Sequence, residues 1–109
     1  MRIIRDAHKL TSLEDFADQY DLDMYVKENA PGTVDQNYRF EAHLKGVWVK
    51  TSITVEPVYG YGSSEYLAMA DYAKKIGGKT LSVHSYVGMN NLVIVAPFFD
   101  GVGRDSDGE

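Results

Sequence analysis

The sequence predicts an α+β domain in which two amphipathic helices pack on an antiparallel sheet, in the order α-β-β-β-α-β-β. Three patterns predict it. Apolar residues recur at helical spacing around Phe16 and again around Ala70, and they alternate with polar residues between Leu22 and Val55. Two short apolar runs then follow Gly77-Gly78. The links between successive strand segments are too short for crossover connections, so neighbours should run antiparallel. Helices with a single apolar face must then cover that sheet.

Thr11-Ser12-Leu13-Glu14 reads as a capping box, with Thr11 as N-cap and Glu14 at N3. Leu13, Phe16, Ala17 and Tyr20 share one face of the helix that it opens, over about residues 12–20. Leu22, Met24 and Val26 alternate with Asp23, Tyr25 and Lys27 as a half-buried strand, and Asn29-Ala30-Pro31-Gly32 breaks it with turn chemistry. The next strand points Tyr38, Phe40, Ala42 and Leu44 inward, with Arg39, Glu41, His43 and Lys45 outward. After Lys45-Gly46, a third strand carries Val47, Val49, Thr51, Ile53 and Val55 on one face and Trp48 on the other. Pro57 cannot donate to a ladder and interrupts pairing there.

Val58-Tyr59-Gly60-Tyr61-Gly62-Ser63-Ser64-Glu65 is a glycine-rich exit from that strand into helix two. Ser63 or Ser64 supplies the cap, and Tyr66, Met69, Ala70, Ala73 and Ile76 supply the apolar stripe. Glu65 near the start, and Lys74 and Lys75 near the end, suit the helix dipole, and Gly77-Gly78 provides a left-handed stop. Residues 80–86 and 92–96 read as a C-terminal hairpin, ended by Pro97. Residues 1–99 are expected to form one domain, and 100–109, rich in Gly and Asp, a disordered acidic tail.

Composition narrows the chemistry. The chain has no cysteine, so disulfides, thiolate nucleophiles and Cys-based zinc sites are absent together. No apolar run reaches about 18 residues, and the opening segment lacks the apolar centre of a signal peptide, so the expectation is a cytoplasmic, non-membrane protein. The net charge of −5 is uneven: residues 11–35 hold seven acids against Lys27 alone, whereas 36–99 hold six bases against four acids. Such a face repels a phosphate backbone and attracts a basic surface, although a solvated acidic face has the same composition.

Catalytic and cofactor sites are not expected. The glycine turn has neither the spacing nor the lysine of a phosphate-binding loop, and Ser63 and Ser64 are sufficiently explained as caps. His8, His43 and His84 lack metal-ligand spacing; no serine sits in a nucleophile elbow; and Asp15 and Asp18 face solvent on a helix.

From Leu13 to Ile76 the order resembles the α-β-β-β-α double-stranded-RNA-binding domain, including the helix entry Gly60-x-Gly62-Ser63-Ser64 and the small residues Ala68, Ala70 and Ala73. That family places lysines at the start of its second helix, where this chain has Ser64, Glu65, Tyr66, Ala68 and Met69. The resemblance therefore implies the architecture, while direct nucleic-acid binding is disfavoured. Leu13-Glu14-Asp15-Phe16-Ala17, together with the run from Ala68-Met69-Ala70-Asp71-Tyr72-Ala73 to Gly78-Lys79-Thr80-Leu81, is also similar to a family of small phage-encoded α/β/α sandwich proteins. That resemblance implies an accessory protein acting on host machinery.

Tyr25, Trp48, Tyr59, Tyr61, Tyr72 and Tyr86 lie off the expected core stripes. Tyr and Trp are enriched at interfaces, and equally in a second covered sheet face, which would bury Trp48. The functional expectation is a non-catalytic protein-binding module of phage type that docks on a basic, nucleic-acid-binding host surface, such as a CRISPR effector. Glu14, Asp15, Asp18, Asp21 and Asp23 would imitate phosphate charge, with Trp48, Tyr59 and Tyr61 as anchors. One alternative is a degenerate duplex binder using Arg39, Lys45 and Lys50; another is a virion or self-associating protein paired through an edge near residues 55–58.

Overall fold

The computed structural model describes residues 11–30, 32, 34–84 and 91–103. It is a mixed α+β structure with two helices, and its larger sheets are antiparallel. In chain order the elements are β1 (Thr11–Ser12), α1 (Leu13–Gln19), β2 (Met24–Glu28), a 3-10 turn (Gln36–Tyr38), β3 (Phe40–Leu44), β4 (Val47–Lys50), β5 (Val55–Glu56), β6 (Gly60–Gly62), α2 (Glu65–Ile76), β7 (Thr80–His84), β8 (Asn91–Val95) and β9 (Phe99–Gly101). The strands form a three-stranded sheet ordered β2-β3-β6, a four-stranded sheet ordered β5-β4-β7-β8, and a parallel β1-β9 ribbon.

The cap of α1 is Ser12 rather than Thr11. Thr11 is committed to the ribbon opposite Phe99, while the Asp15 N–H donates to Ser12 Oγ at 3.0 Å. The Glu14 N–H donates to the Val102 carbonyl at 2.7 Å, so the ribbon end supplies another orphan donor of the helix with a partner. Asp21 leaves the helix at φ 57, a left-handed turn that Asp tolerates better than most residues.

β2 and β3 pair from Met24↔Leu44 to Glu28↔Phe40, as their alternation requires. Ala42 and Leu44 face the core; Tyr38 does not, being 51% exposed in the 3-10 turn. The expected third strand is where the structure departs most. Gly46, at φ +75, turns the chain out of the first sheet, so β4 pairs with β7 and not with β3. The strand then breaks at Thr51, whose Oγ1 accepts the Thr54 N–H at 3.0 Å and closes a tight hairpin to β5. A threonine side chain competing for backbone donors ends the ladder that its β-branching otherwise favours. Ile53 stands at the tip, 90% exposed.

The place beside β3 is taken by the glycine segment: Phe40↔Gly62, Glu41↔Tyr61 and Ala42↔Gly60. Gly60 and Gly62 are glycine because α2 lies directly on them. A Cβ at Gly62 would fall 2.6 Å from Ala68 N, and one at Gly60 would fall 2.6 Å from Tyr72 Cα. That contact sets the face of α2. Ala68, Tyr72, Ala73 and Ile76 are buried, whereas Tyr66 of the expected stripe is 41% exposed. Tyr72, expected off the core, is the largest fully buried side chain. Of the two candidate caps it is Ser64 that accepts, from the Leu67 N–H at 3.1 Å.

β7 and β8 form the expected antiparallel pair, from Thr80↔Val95 to His84↔Asn91. Tyr86 and the 85–90 connection lie outside the described residues. Order continues past the expected boundary at residue 99: Asp100 and Gly101 belong to β9, and Val102 is 6% exposed. The rest of the expected tail, 104–109, lies outside the described residues, as do His8 and the other residues of 1–10. One core gathers Leu13, Phe16, Leu44, Val47, Tyr72, Ile76, Leu81 and Ala96 from both helices, the sheets and the chain leading to β9.

Candidate functional site

The acidic segment encloses a groove. α1, the turn into β2, one side chain of α2 and the ribbon end surround a cavity of about 410 Å³. Leu13, Ala17, Leu22, Met24, Met69 and Val102 supply its apolar wall, all buried or half-buried, and Glu14, Asp18 and Asp23 stand exposed along it. Glu14 and Asp18 are brought together by helical spacing i, i+4. Asp23 joins them because the left-handed Asp21 returns the chain toward the helix, with the Leu22 N–H donating to the Ala17 carbonyl at 2.8 Å. Asp15 and Asp21 are exposed but do not line the groove. Of the five acids expected to act together, three therefore share one concavity.

A second surface is the outer face of the β2-β3-β6 sheet. Tyr25 and His43 are cross-strand partners, as are Glu41 and Tyr61. The His43 ring lies 5.3 Å from Tyr25 and 5.1 Å from Tyr59, while Tyr38 lies 5.2 Å from Tyr61. Helix α2 fixes this edge: the Tyr61 N–H donates to Asp71 Oδ2 at 2.9 Å and Lys75 Nζ donates to the Tyr59 carbonyl at 3.0 Å. Lys75 also pairs with Asp71 at 3.0 Å and sits 5.0 Å from the Tyr61 ring centre. Burial holds the His43 imidazole below its ordinary pKa, with the Glu41 carboxylate opposing and Lys45 adding to the shift. His43 Nδ1 is buried without a hydrogen-bond partner. Burial, then Glu41, raises the Tyr61 phenol.

Of the three expected anchors, Tyr59 and Tyr61 lie along one sheet face, whereas Trp48 belongs to the other large sheet. It is 41% exposed and packs on His84 at 5.3 Å. His43 and His84 lie on strands of different sheets. Sequence reasoning missed Tyr38, His43, Asp71 and Lys75 as parts of the aromatic face. The signal available was the outward phase of Glu41 and His43 on β3; the pairing of β3 with a glycine strand was not readable from period. Of the three bases considered for duplex binding, Arg39 is engaged by Glu28 at 2.7 Å and lies over the Phe40 ring.

Among the described residues, no helix is long and apolar enough to cross a membrane. Comparison with protein-family models, curated proteins and solved structures returns no match for this chain.

Proposed function

We propose that this chain is a non-catalytic protein-binding module whose acid-lined groove receives a basic, amphipathic segment of a partner protein. The observation that carries the reading is the pairing of an apolar wall (Leu13, Ala17, Leu22, Met24, Met69 and Val102) with three exposed carboxylates along it. A lysine or arginine has the matching halves, an apolar stem and a cationic head. The stem leaves water against Met24 and Met69 while the head stays at the solvent edge beside Asp18 and Asp23. Neither charge is then stranded in the interior, which avoids the desolvation penalty of a buried pair. Asp15 and Asp21, outside the groove, add long-range attraction and hasten encounter. Tyr59 and Tyr61 offer a second anchoring face for the same partner.

The sharpest form of this reading is a phage accessory protein acting in the host cytoplasm as a counter-defence inhibitor. Its acids occupy a basic nucleic-acid-binding surface, such as that of a CRISPR effector, in place of phosphates. Capture from a bacterial lysate tests it. Basic nucleic-acid-binding proteins should be retained at about 50 mM salt and released at about 500 mM, where the screening length falls to a few ångströms. Retention that ignores salt, or capture of acidic proteins, would sink the reading.

A further inference from the structure

We propose that β8 is a self-association edge, through which two copies of this chain pair antiparallel about a two-fold axis and join their four-stranded sheets into one. This inference does not rest on the groove. β8 is the last strand of the sheet, bonded to β7 on one side and without a strand neighbour on the other among the described residues. The Ala96 N–H donates to Lys79 O at 2.8 Å on the β7 side. Strand alternation then turns the N–H and C=O groups of Val93 and Val95 toward the open edge. A row of backbone donors and acceptors that no described strand meets suits an extended strand as its occupant.

Among the described residues the usual edge protections are missing. Asn91–Val95 contains no charge and no proline, and Leu92, Val93 and Val95 are 46%, 52% and 70% exposed. The opposite edge, β5, is only two residues long, includes Glu56 and is followed by Pro57. Self-association through residues 55–58 is therefore poorly served, and β8 is the edge fit for it.

The composition of the edge selects a second copy. Centred on Val93, antiparallel self-pairing sets Val93 against the partner's Val93, Leu92 against the partner's Ile94 and Asn91 against the partner's Val95. No pair brings like charges together, although the chain as a whole carries a net charge of −5. Val93 is the cross-strand partner of Ser82, and Ser82 of Trp48. Pairing therefore joins the two sheets through Val93, with the exposed Trp48 of each copy on the same row beyond the buried Ser82. About ten strand residues in all are far fewer than the roughly 20–30 a side of a standard interface, so the dimer should be weak and form reversibly with concentration.

Sedimentation equilibrium of the full chain tests this. The wild-type weight-average mass should rise from one chain toward two between about 1 μM and about 200 μM, a range suited to a small, weak interface. Val93→Lys and Val93→Glu each place like charges directly opposite and should stay at one chain throughout, with the circular dichroism spectrum of the wild type. An equimolar mixture of those two variants should recover the two-chain mass, because Val93 faces its own symmetry mate. Val93→Thr should dimerise as the wild type does. A wild type that remains one chain at the top concentration overturns the proposal, as would occur if the edge serves a foreign strand. So does a mixture that fails to recover the dimer, or assembly beyond two chains.

Discussion

Replacing Gly60 by alanine isolates the contact that builds the sheet-to-helix layer. Gly60 is not in the left-handed region, so the substitution introduces no backbone strain. On conformational entropy alone it should stabilise the fold by about 0.4–1 kcal/mol. Steric contact opposes this. The new Cβ would lie 2.6 Å from Tyr72 Cα and also against Ala68 O and Tyr72 N, whereas carbon contacts settle at about 3.5 Å or more. Helix α2 must therefore withdraw by about 1 Å, and a gap of that size forfeits a quarter to a half of each contact energy it opens. Overpacking of this kind costs about 1–3 kcal/mol, and the upper end applies because the obstructing atoms are backbone on a buried helix. The net loss is about 2 kcal/mol, or a Tm lower by about 8–16 °C for a domain of this size. Thermal unfolding followed by circular dichroism measures it. Since a backbone carbonyl and amide are the obstacle, Ala68→Gly in the same chain should not restore the loss. A Gly60→Ala protein as stable as the wild type, or more so, would refute the close-approach reasoning.

Other expectations follow from the same geometry. Burial pushes the Tyr72 phenol up to about 12, partly offset by a hydrogen bond from the Leu44 backbone. The unfolded chain therefore loses this proton first; the stability it confers is complete below about pH 10 and falls by about 2–3 kcal/mol as pH rises to about 12. Urea melts at successive alkaline pH values should show that fall, and Tyr72→Phe should lack it relative to wild type. His43 is shifted the other way, by burial, so as pH drops below the ordinary 6.5 the unfolded chain takes up the proton first and stability declines. His43→Gln should flatten that slope between about pH 7 and pH 5.5, and an unchanged slope would contradict the assignment. Ser12→Ala should cost about 1 kcal/mol in urea unfolding and Ser64→Ala a similar amount, whereas Ser63→Ala should cost much less; equal losses for Ser63 and Ser64 would contradict the caps.

Sequence pattern reveals the parts of this fold that are set by local rules. The alternation from Met24 to Lys27 and from Phe40 to Leu44 survives because each residue's phase is fixed by its own strand. Caps at Ser12 and Ser64 were legible to within one residue, the ambiguity arising where two hydroxyl residues are adjacent. What was not legible depends on distant partners. Gly60-Tyr61-Gly62 has no apolar period, so nothing local marks it as the strand beside β3. That β4 pairs with β7 rather than with β3 depends on a strand about thirty residues on, and the break at Thr51 comes from a threonine hydroxyl that strand period does not register. The buried face of α2 is rotated toward Ala68 and Tyr72 because two glycines admit the helix there, a contact that helical periodicity alone does not encode. β9 pairs the two ends of the described chain, and its residues look like a Gly/Asp tail. For the candidate site, the acids were visible as charge, but their division into Glu14, Asp18 and Asp23 around a groove required the left-handed turn at Asp21.

The central claim is that the groove recognises an apolar stem and a cation together. Fluorescence anisotropy of a labelled peptide of alternating leucine and arginine tests it most directly, read against peptides in which serine replaces leucine or glutamate replaces arginine. The leucine–arginine peptide should bind best, weaken at least about tenfold between about 50 mM and 500 mM salt, and weaken similarly with Asp18→Asn/Asp23→Asn at low salt. Equal binding of the serine–arginine peptide, or an affinity untouched by the two substitutions, would contradict the account.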